Sequence, residues 1–351
     1  MSLVISGIQQ IGIGIPKVYE AWDWYNTNFG FDLPMFDEAA EAGLMLPYTD
    51  GKPQKRHAIL ALNLRGGGGF EIWQYTSRTP QPADFEIQLG DLGIYIAKIK
   101  TTDVAKAYEK LKTSAVSNLV KMPNGALHFF VKDPYGNLFQ IVKDTTWFDN
   151  SMKGVMGGAF GAFIGVSDMD KALEFYNKIL GYDSIIYQEE GVFEDFKTLP
   201  GGNQRVKRVL LKHSKAREGA FSQLLGPSTI ELIQTLDRTP QMIFKDRLWG
   251  DLGFIHLCFD ISGMSTLKQK CEDMGHPFTV DSSDSFDMGE AAGHFTYIED
   301  PDGTLIEFVE THKIPILKKI GWYLNLRKRN PKKALPKWML SALRFSRVKK
   351  Q

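Results

Sequence analysis

The side chain in this sequence best placed for chemistry is an imidazole in an apolar run. His256 opens the strand-like stretch His256–Ile261, with Cys258 two residues on. Glu307 lies in a second such run, Leu305–Val309, just after Asp300-Pro301-Asp302-Gly303. Glu71 and Glu231 head two similar segments, Glu71-Ile72-Trp73-Gln74 and Glu231-Leu232-Ile233-Gln234, and Gln10 begins the run Gln10–Ile15. Charged and imidazole groups on buried strands need partners, because burying them alone is costly. Each also has a plainer reading: His256 as a hydrogen-bonded core histidine, Cys258 as a small core residue, Gln10 as strand-edge polarity. Other chemistries lack their signatures. There is no His-Glu-x-x-His, no nucleophile elbow and no dinucleotide fingerprint, and Gly66–Gly69 lacks the Lys-Ser/Thr of a phosphate loop. Arg78 and Arg238 could hold an anionic substrate group or belong to structural turns.

The elements that must position these residues recur along the chain. At one offset of 160, Glu71-Ile72-Trp73-Gln74, Arg78-Thr79-Pro80-Gln81 and Gly90-Asp91-Leu92-Gly93 match Glu231-Leu232-Ile233-Gln234, Arg238-Thr239-Pro240-Gln241 and Gly250-Asp251-Leu252-Gly253. Tyr25-Asn26 with Gly30 and Asp32 matches Tyr176-Asn177 with Gly181 and Asp183, and Asp133-Pro134-Tyr135-Gly136 matches Asp300-Pro301-Asp302-Gly303. The chain is an internal duplication. Within each half, a strand leads to an amphipathic helix and then to further strands, and the cycle runs twice. Helices are predicted over Val18–Asn28, Asp103–Lys112, Asp170–Leu180 and Leu267–Met274, with Asp168 or Asp170 as an N-cap and Gly30 and Gly181 as left-handed C-terminal residues. The Asp-Pro-x-Gly segments suit tight turns. The expected organisation is a first domain over 1–148, a second over 149–312 and a tail over 313–351.

A length of 351 residues calls for more than one core. Two cysteines, Cys258 and Cys271, exclude a disulfide scaffold and suit a reducing, cytoplasmic setting. The apolar N-terminus lacks a basic leader and reads as a first strand. The net charge of +1 conceals two opposed regions: residues 313–351 hold 13 Lys or Arg and no acid, leaving the rest at −12. The tail interleaves Trp338, Leu340, Leu343 and Phe345 with Lys337, Arg344 and Arg347, and a helix is predicted from Pro336 to about Val348. That composition fits a peripheral membrane or partner contact, or a strap folded over the acidic body. A nucleic-acid partner is not expected, although such charge would accept one.

The opening strand before Asp168-Met169-Asp170-Lys171-Ala172-Leu173-Glu174-Phe175-Tyr176 and the closing Asp300-Pro301-Asp302-Gly303-Thr304-Leu305-Ile306-Glu307 resemble the vicinal oxygen chelate superfamily: glyoxalase I, methylmalonyl-CoA epimerase, extradiol dioxygenases and bleomycin-resistance proteins. The resemblance spans about residues 5–310. It implies an α+β fold of four βαβββ modules paired into two cup-shaped half-barrel sheets, plus the basic C-terminal tail. It also implies a divalent metal (Zn, Ni, Co, Mn or Fe) held by the first and last strand of each module. The ligand positions it implies are Gln10 and Glu71, Ile94 and Gln140, Gly161 and Glu231, and His256 and Glu307. Pairing within each half would give Glu231, His256 and Glu307. Pairing of the first module with the fourth would give Gln10, Glu71, His256 and Glu307.

One imidazole with two carboxylates is a fairly hard donor set. Such a metal, chelating two adjacent substrate oxygens, stabilises an enediolate, while a glutamate moves the proton; the resemblance assigns that catalytic role to Glu307. The expectation is a lyase or isomerase acting on a small carbonyl compound or thioester. A ring-cleaving dioxygenase would want a second His where Gly161 stands, unless His294 supplies it. The remaining alternative is a metal-free protein that binds a small molecule.

Overall fold

The computed structural model describes residues 2–283, 286–288, 291–317 and 322–348, and side chains among them except at 286–288, 291–292, 315–317 and 322. The two-fold alternation of apolar residues, broken by glycine and Asp-Pro-x-Gly turns, yields four modules in chain order. The first is β1 (Val4–Gly14), α1 (Val18–Phe29), β2 (Leu33–Glu41), β3 (Lys55–Leu62) and β4 (Gly69–Tyr75). The second is β5 (Gly93–Thr101), α2 (Val104–Leu111), β6 (Val120–Lys121), β7 (Leu127–Lys132) and β8 (Leu138–Lys143). The third is β9 (Met156–Gly165), α3 (Met169–Lys178), β10 (Ser184–Gly191), β11 (Val206–Lys212), α4 (Ser222–Leu225) and β12 (Thr229–Thr235). The fourth is β13 (Gly253–Ser262), α5 (Met264–Asp273), β14 (Val280–Asp281), β15 (Phe286–Met288), β16 (Ala291–Glu299) and β17 (Leu305–Leu317). Asp168 caps α3 by accepting from the Asp170 and Lys171 amides. Gly30 and Gly181 both take the left-handed conformation expected where a helix ends, each at φ 77°.

Two curled half-barrel sheets result, and each draws strands from both halves of the sequence. One runs β14-β16-β17-β13-β1-β4-β3-β2, joining the fourth module to the first; the other runs β10-β11-β12-β9-β5-β8-β7-β6, joining the third to the second. The seams are antiparallel, with Gly12 opposite His256 across β1/β13 and Ala97 opposite Ala162 across β5/β9. One face of both sheets packs with the helices into the main core, where Tyr25, Phe29, Phe70, Phe139 and Tyr176 are buried.

The repeated blocks fasten this arrangement. Gln74 accepts from the Val18 amide at the start of α1 (2.8 Å), and Gln234 does the same for the Met169 amide of α3 (3.2 Å). Tyr25 donates to Asp133 of the next module's turn (2.6 Å), and Tyr176 to Asp300 (2.9 Å). Arg78 pairs with Asp251 of the other half (2.8 Å), and Arg238 reciprocally with Asp91 (2.5 Å). Both acids also accept backbone amides, from Gln81 and Leu248 or from Gln88 and Gln241. The two arginines therefore act as structural ties between halves.

Beyond the fourth module, β18 (Trp322–Asn325) folds back against β17. The helix predicted from Pro336 to about Val348 is shorter: α6 (Lys337–Ser341) tightens into a 3-10 turn over Ala342–Ser346, and Arg347 leaves it to pair with Asp32. Lys318 and Lys319 lie outside the described residues. Among the described residues, no helix is long and apolar enough to cross a membrane.

Candidate metal centre

Alternation along β1 sends Ile11 and Ile13 to the helix-packed core and Gln10 and Gly12 to the concave face of the first sheet. On β4, Phe70 and Ile72 join that core while Glu71 and Trp73 face the cup. The seam register brings His256 of β13 opposite Gly12, and Glu307 of β17 lies beside Cys258. Gln10, Glu71, His256 and Glu307 thus meet in one cup. The His256 Nε2 lies 3.0 Å from Glu307 Oε2 and 3.4 Å from Glu71 Oε2, and Gln10 Nε2 donates to Glu71 Oε2 over 3.4 Å. One donor atom from each of Glu71, His256 and Glu307 falls within 4.8 Å of the others, and all three residues are buried.

A cation suits this set on two grounds. The donors are an imidazole, two carboxylates and an amide oxygen, which divalent Zn, Ni, Co, Mn and Fe accept. His256 Nε2 and Glu307 Oε2 touch each other without hydrogen-bond geometry, and His256 Nδ1 and Gln10 Oε1 are buried without a hydrogen-bond partner. Buried polar atoms are normally satisfied, so convergent acceptors of this kind mark a place for a positive charge. The imidazole shows the same pull. Burial works against its protonation, but Glu307 and Glu71 outweigh burial and raise its pKa to about 9. For Glu71, burial acts upward and contact with His256 prevails, so its pKa is lowered.

The walls explain the imidazole's pose. A Cβ on Gly12 would lie 2.3 Å from His256 Cε1, so only glycine leaves room for the ring. Trp249 lies parallel to the imidazole with centroids 6.3 Å apart, and Tyr297 meets it edge-on at 5.5 Å. Gly250 in turn admits Trp73, whose ring a Cβ there would approach within 2.2 Å. Gly12 and Trp249 escaped the sequence reading. The alternating glycines of Gly12-Ile13-Gly14 were a signal, since glycine inside a strand marks a close approach.

Glu231 lies in the other cup and is not near His256. The third module pairs with the second, which puts Glu231 Oε2 2.6 Å from Lys98 Nζ and Glu231 Oε1 2.5 Å from Arg208 Nε. Tyr187 donates to Oε1 as well, over 2.7 Å. Arg208 also forks onto both Asp195 oxygens, at 2.9 and 2.8 Å. Burial acts upward on the Glu231 carboxyl, but Arg208 and Lys98 hold it down to about 2. Gln140 stands at the place matching Glu307 and pairs with His128 Nδ1 at 3.0 Å. The residue matching His256 is Ile96, not Ile94, because Ile96 faces Phe163 across the β5/β9 seam as His256 faces Gly12.

One further expectation changes and one holds. His294 is paired with Asp281 at 2.6 Å and lies opposite Glu310, three residues from Tyr297, so it does not face Glu307. Cys258 is buried beside the acids; burial and then Glu307 push its thiol well above the ordinary range, which removes it as a nucleophile.

Comparison with known proteins agrees with the fold. Profiles described as Glyoxalase/Bleomycin resistance protein/Dioxygenase superfamily match residues 7–141 and 162–297. Glyoxalase I from Zea mays superposes with a TM-score of 0.51 at 13% identity, over 88% of this chain and 92% of that one. A putative dioxygenase from Bacillus subtilis superposes with a TM-score of 0.56 at 14% identity, over 88% of this chain and 86% of that one. These likenesses are of fold alone. No curated protein matches the sequence. With both halves matched and two cups of two modules each in place, the chain belongs to the glyoxalase/bleomycin resistance protein/dioxygenase superfamily.

Proposed function

We propose that this protein is a metal-dependent lyase or isomerase of glyoxalase or epimerase character, acting on a small carbonyl compound or thioester. The observation that carries the reading is the meeting of Gln10, Glu71, His256 and Glu307 in one buried cup, with donor atoms left unpaired. These four residues would hold the cation, the two carboxylates offsetting its charge. A divalent cation there supplies a Lewis acid for the oxygen of a carbonyl whose neighbouring carbon loses a proton. In that step the C–H bond breaks, its electron pair forms a C=C bond as the carbonyl π pair moves onto the oxygen, and the Glu307 carboxylate takes the proton. Delivery of a proton to the adjacent carbon completes an isomerisation; delivery to the opposite face, from the side of Glu71, completes an epimerisation. Trp73, Trp249 and Tyr297 are buried together beside these residues and would shield the reacting carbon from water.

The set holds a single imidazole, and His294 turns elsewhere, so the donors favour this chemistry over oxygen activation, which typically uses two His and one carboxylate. The test is hydrogen exchange. Protein loaded with Zn, Ni, Co, Mn or Fe(II) is incubated in heavy water with 2-oxoaldehyde–thiol adducts and with acyl thioesters. Deuterium is expected at the carbon beside the carbonyl, and Glu307→Gln should slow its uptake by about 100-fold or more. Absence of exchange with every metal would overturn the proposal. Oxygen uptake with catechols would replace it with ring cleavage, and ligand binding that survives chelator and His256→Ala would replace it with metal-free binding.

A further inference from the structure

The C-terminal segment has two faces. Its inner face packs on the cup that holds the candidate metal centre: Leu335 and Leu340 are buried against Leu33, Leu60 and Leu62, with Leu324, Leu326 and Leu343 packed around them. Leu60 lies directly opposite Glu71 on the same face of the sheet, so this apolar end adjoins the candidate metal ligands. The outer face has a different character. Trp338 is 67% exposed and Phe345 is 81% exposed, more than any other large hydrophobic residue described. Around them stand the exposed cations Lys328, Lys332, Lys333, Lys337, Arg344 and Arg347.

Only part of this charge is answered by the body. Lys332 pairs with Glu218 and Arg347 with Asp32, whereas Lys328, Lys333 and Arg344 form no ion pair among the described residues. Beside the segment runs a groove lined by Arg65, Lys106, Lys110, Lys153, Arg344 and Arg347, in which Asp32 is the single acid. Exposed tryptophan and phenylalanine amid lysine and arginine suit one environment above others: the boundary between anionic headgroups and acyl chains. Duplex nucleic acid would answer the charge, but its phosphate backbone offers the two protruding rings no apolar phase. The −12 charge of residues 1–312 would be repelled by the same surface, which orients the molecule tail-first.

We propose that residues 322–348 dock this protein on an anionic phospholipid bilayer, with Trp338 and Phe345 entering the interface and the basic groove taking headgroup phosphate. Attachment would bring the apolar end of the metal cup towards the membrane. The test sediments the full chain with vesicles of equal parts phosphatidylcholine and phosphatidylglycerol, and with vesicles of phosphatidylcholine alone. Binding is expected to the first only and to weaken as salt is raised. The double variant Trp338→Ser/Phe345→Ser should bind about tenfold more weakly, or less, with unchanged circular dichroism and metal content; Lys328→Glu/Lys333→Glu should weaken binding likewise. Equal partitioning to both vesicle types, or no loss in either double variant, overturns the proposal. So does tighter binding to duplex DNA than to the anionic vesicles, unaffected by the aromatic substitutions.

Discussion

The two cups are built from the same modules and solve one electrostatic problem in opposite ways. In the first, Gln10, Gly12, Glu71, His256 and Glu307 leave negative charge and unpaired donors facing a common point. In the second, the matching positions hold Gly161, Phe163, Glu231, Ile96 and Gln140, and the protein supplies its own cations. Lys98 extends past Gly161, where a Cβ would come within 3.0 Å of its Cδ, and its ammonium lies over the Phe163 ring at 4.7 Å. Lys98 and Arg208 balance Glu231 and Asp195, while burial lowers the pKa of His128 towards the neutral form. A half-barrel that keeps an inward glutamate must give it a positive partner: the second cup uses its own lysine and arginine, whereas the first has His256 and the cation proposed above. The size exchange is reciprocal: a large ring at 256 needs Gly12, and Lys98 needs Gly161.

The strongest way to break this comparison is to remove Glu231. Glu231→Gln takes the buried Lys98 ammonium's carboxylate away and leaves Arg208 to Asp195 alone, and stability should fall by about 3–5 kcal/mol in denaturant melts, with metal affinity unchanged. A loss of less than about 1 kcal/mol would mean that the second cup is not held by its charges. Acid should report the same contact. The Glu231 pKa lies at about 2 in the fold against an ordinary 4.5, so the unfolded chain takes up its proton first as pH falls. The pair's contribution is complete above that ordinary value and is lost as pH falls towards 2; in Glu231→Gln this part of the acid transition should disappear.

Gly12→Ala tests the reciprocal steric claim in the first cup. Every candidate ligand remains, yet the imidazole must move, and metal affinity should drop by about 10–100-fold, as when a residue that orients a ligand is lost. Titration calorimetry showing wild-type affinity would refute the steric role of Gly12. The smallest effect is expected at Gln140, the counterpart of Glu307. Gln140→Leu loses one hydrogen bond to His128 but also removes a buried carbonyl without a partner, so stability should shift by about 1 kcal/mol or less. A large loss there would show that the second cup is organised around Gln140 and not around Glu231.

The repeated blocks were the most legible part of the sequence because they hold the fold together. Tyr25, Tyr176, Gln74, Gln234, Asp91 and Asp251 repeat since each half needs the same turn ties and helix caps. The candidate site was legible as residue types but not as a set. Either pairing of modules uses identical strands, and the choice rests on the β1/β13 seam, a contact between residues about 250 apart that no local pattern encodes. Arg78 and Arg238 read as turn residues with a substrate role as the alternative, and their reciprocal partners decide for the structural role. Glu231 resembled Glu71 in its local segment; what separates them is Lys98 and Arg208, whose proximity depends on that same pairing. The tail's division into a buried leucine face and an exposed aromatic face likewise depends on the leucines of β2 and β3 beneath it.

The most direct test of the account is the metal content of the purified, metal-loaded protein by mass spectrometry, measured beside His256→Ala and Glu231→Gln, each checked for folding by circular dichroism. The account predicts about one divalent metal per chain in the wild type and in Glu231→Gln, and none in His256→Ala. Metal retained by folded His256→Ala, or no metal in the wild type after loading with Zn, Ni, Co, Mn and Fe(II), would contradict it.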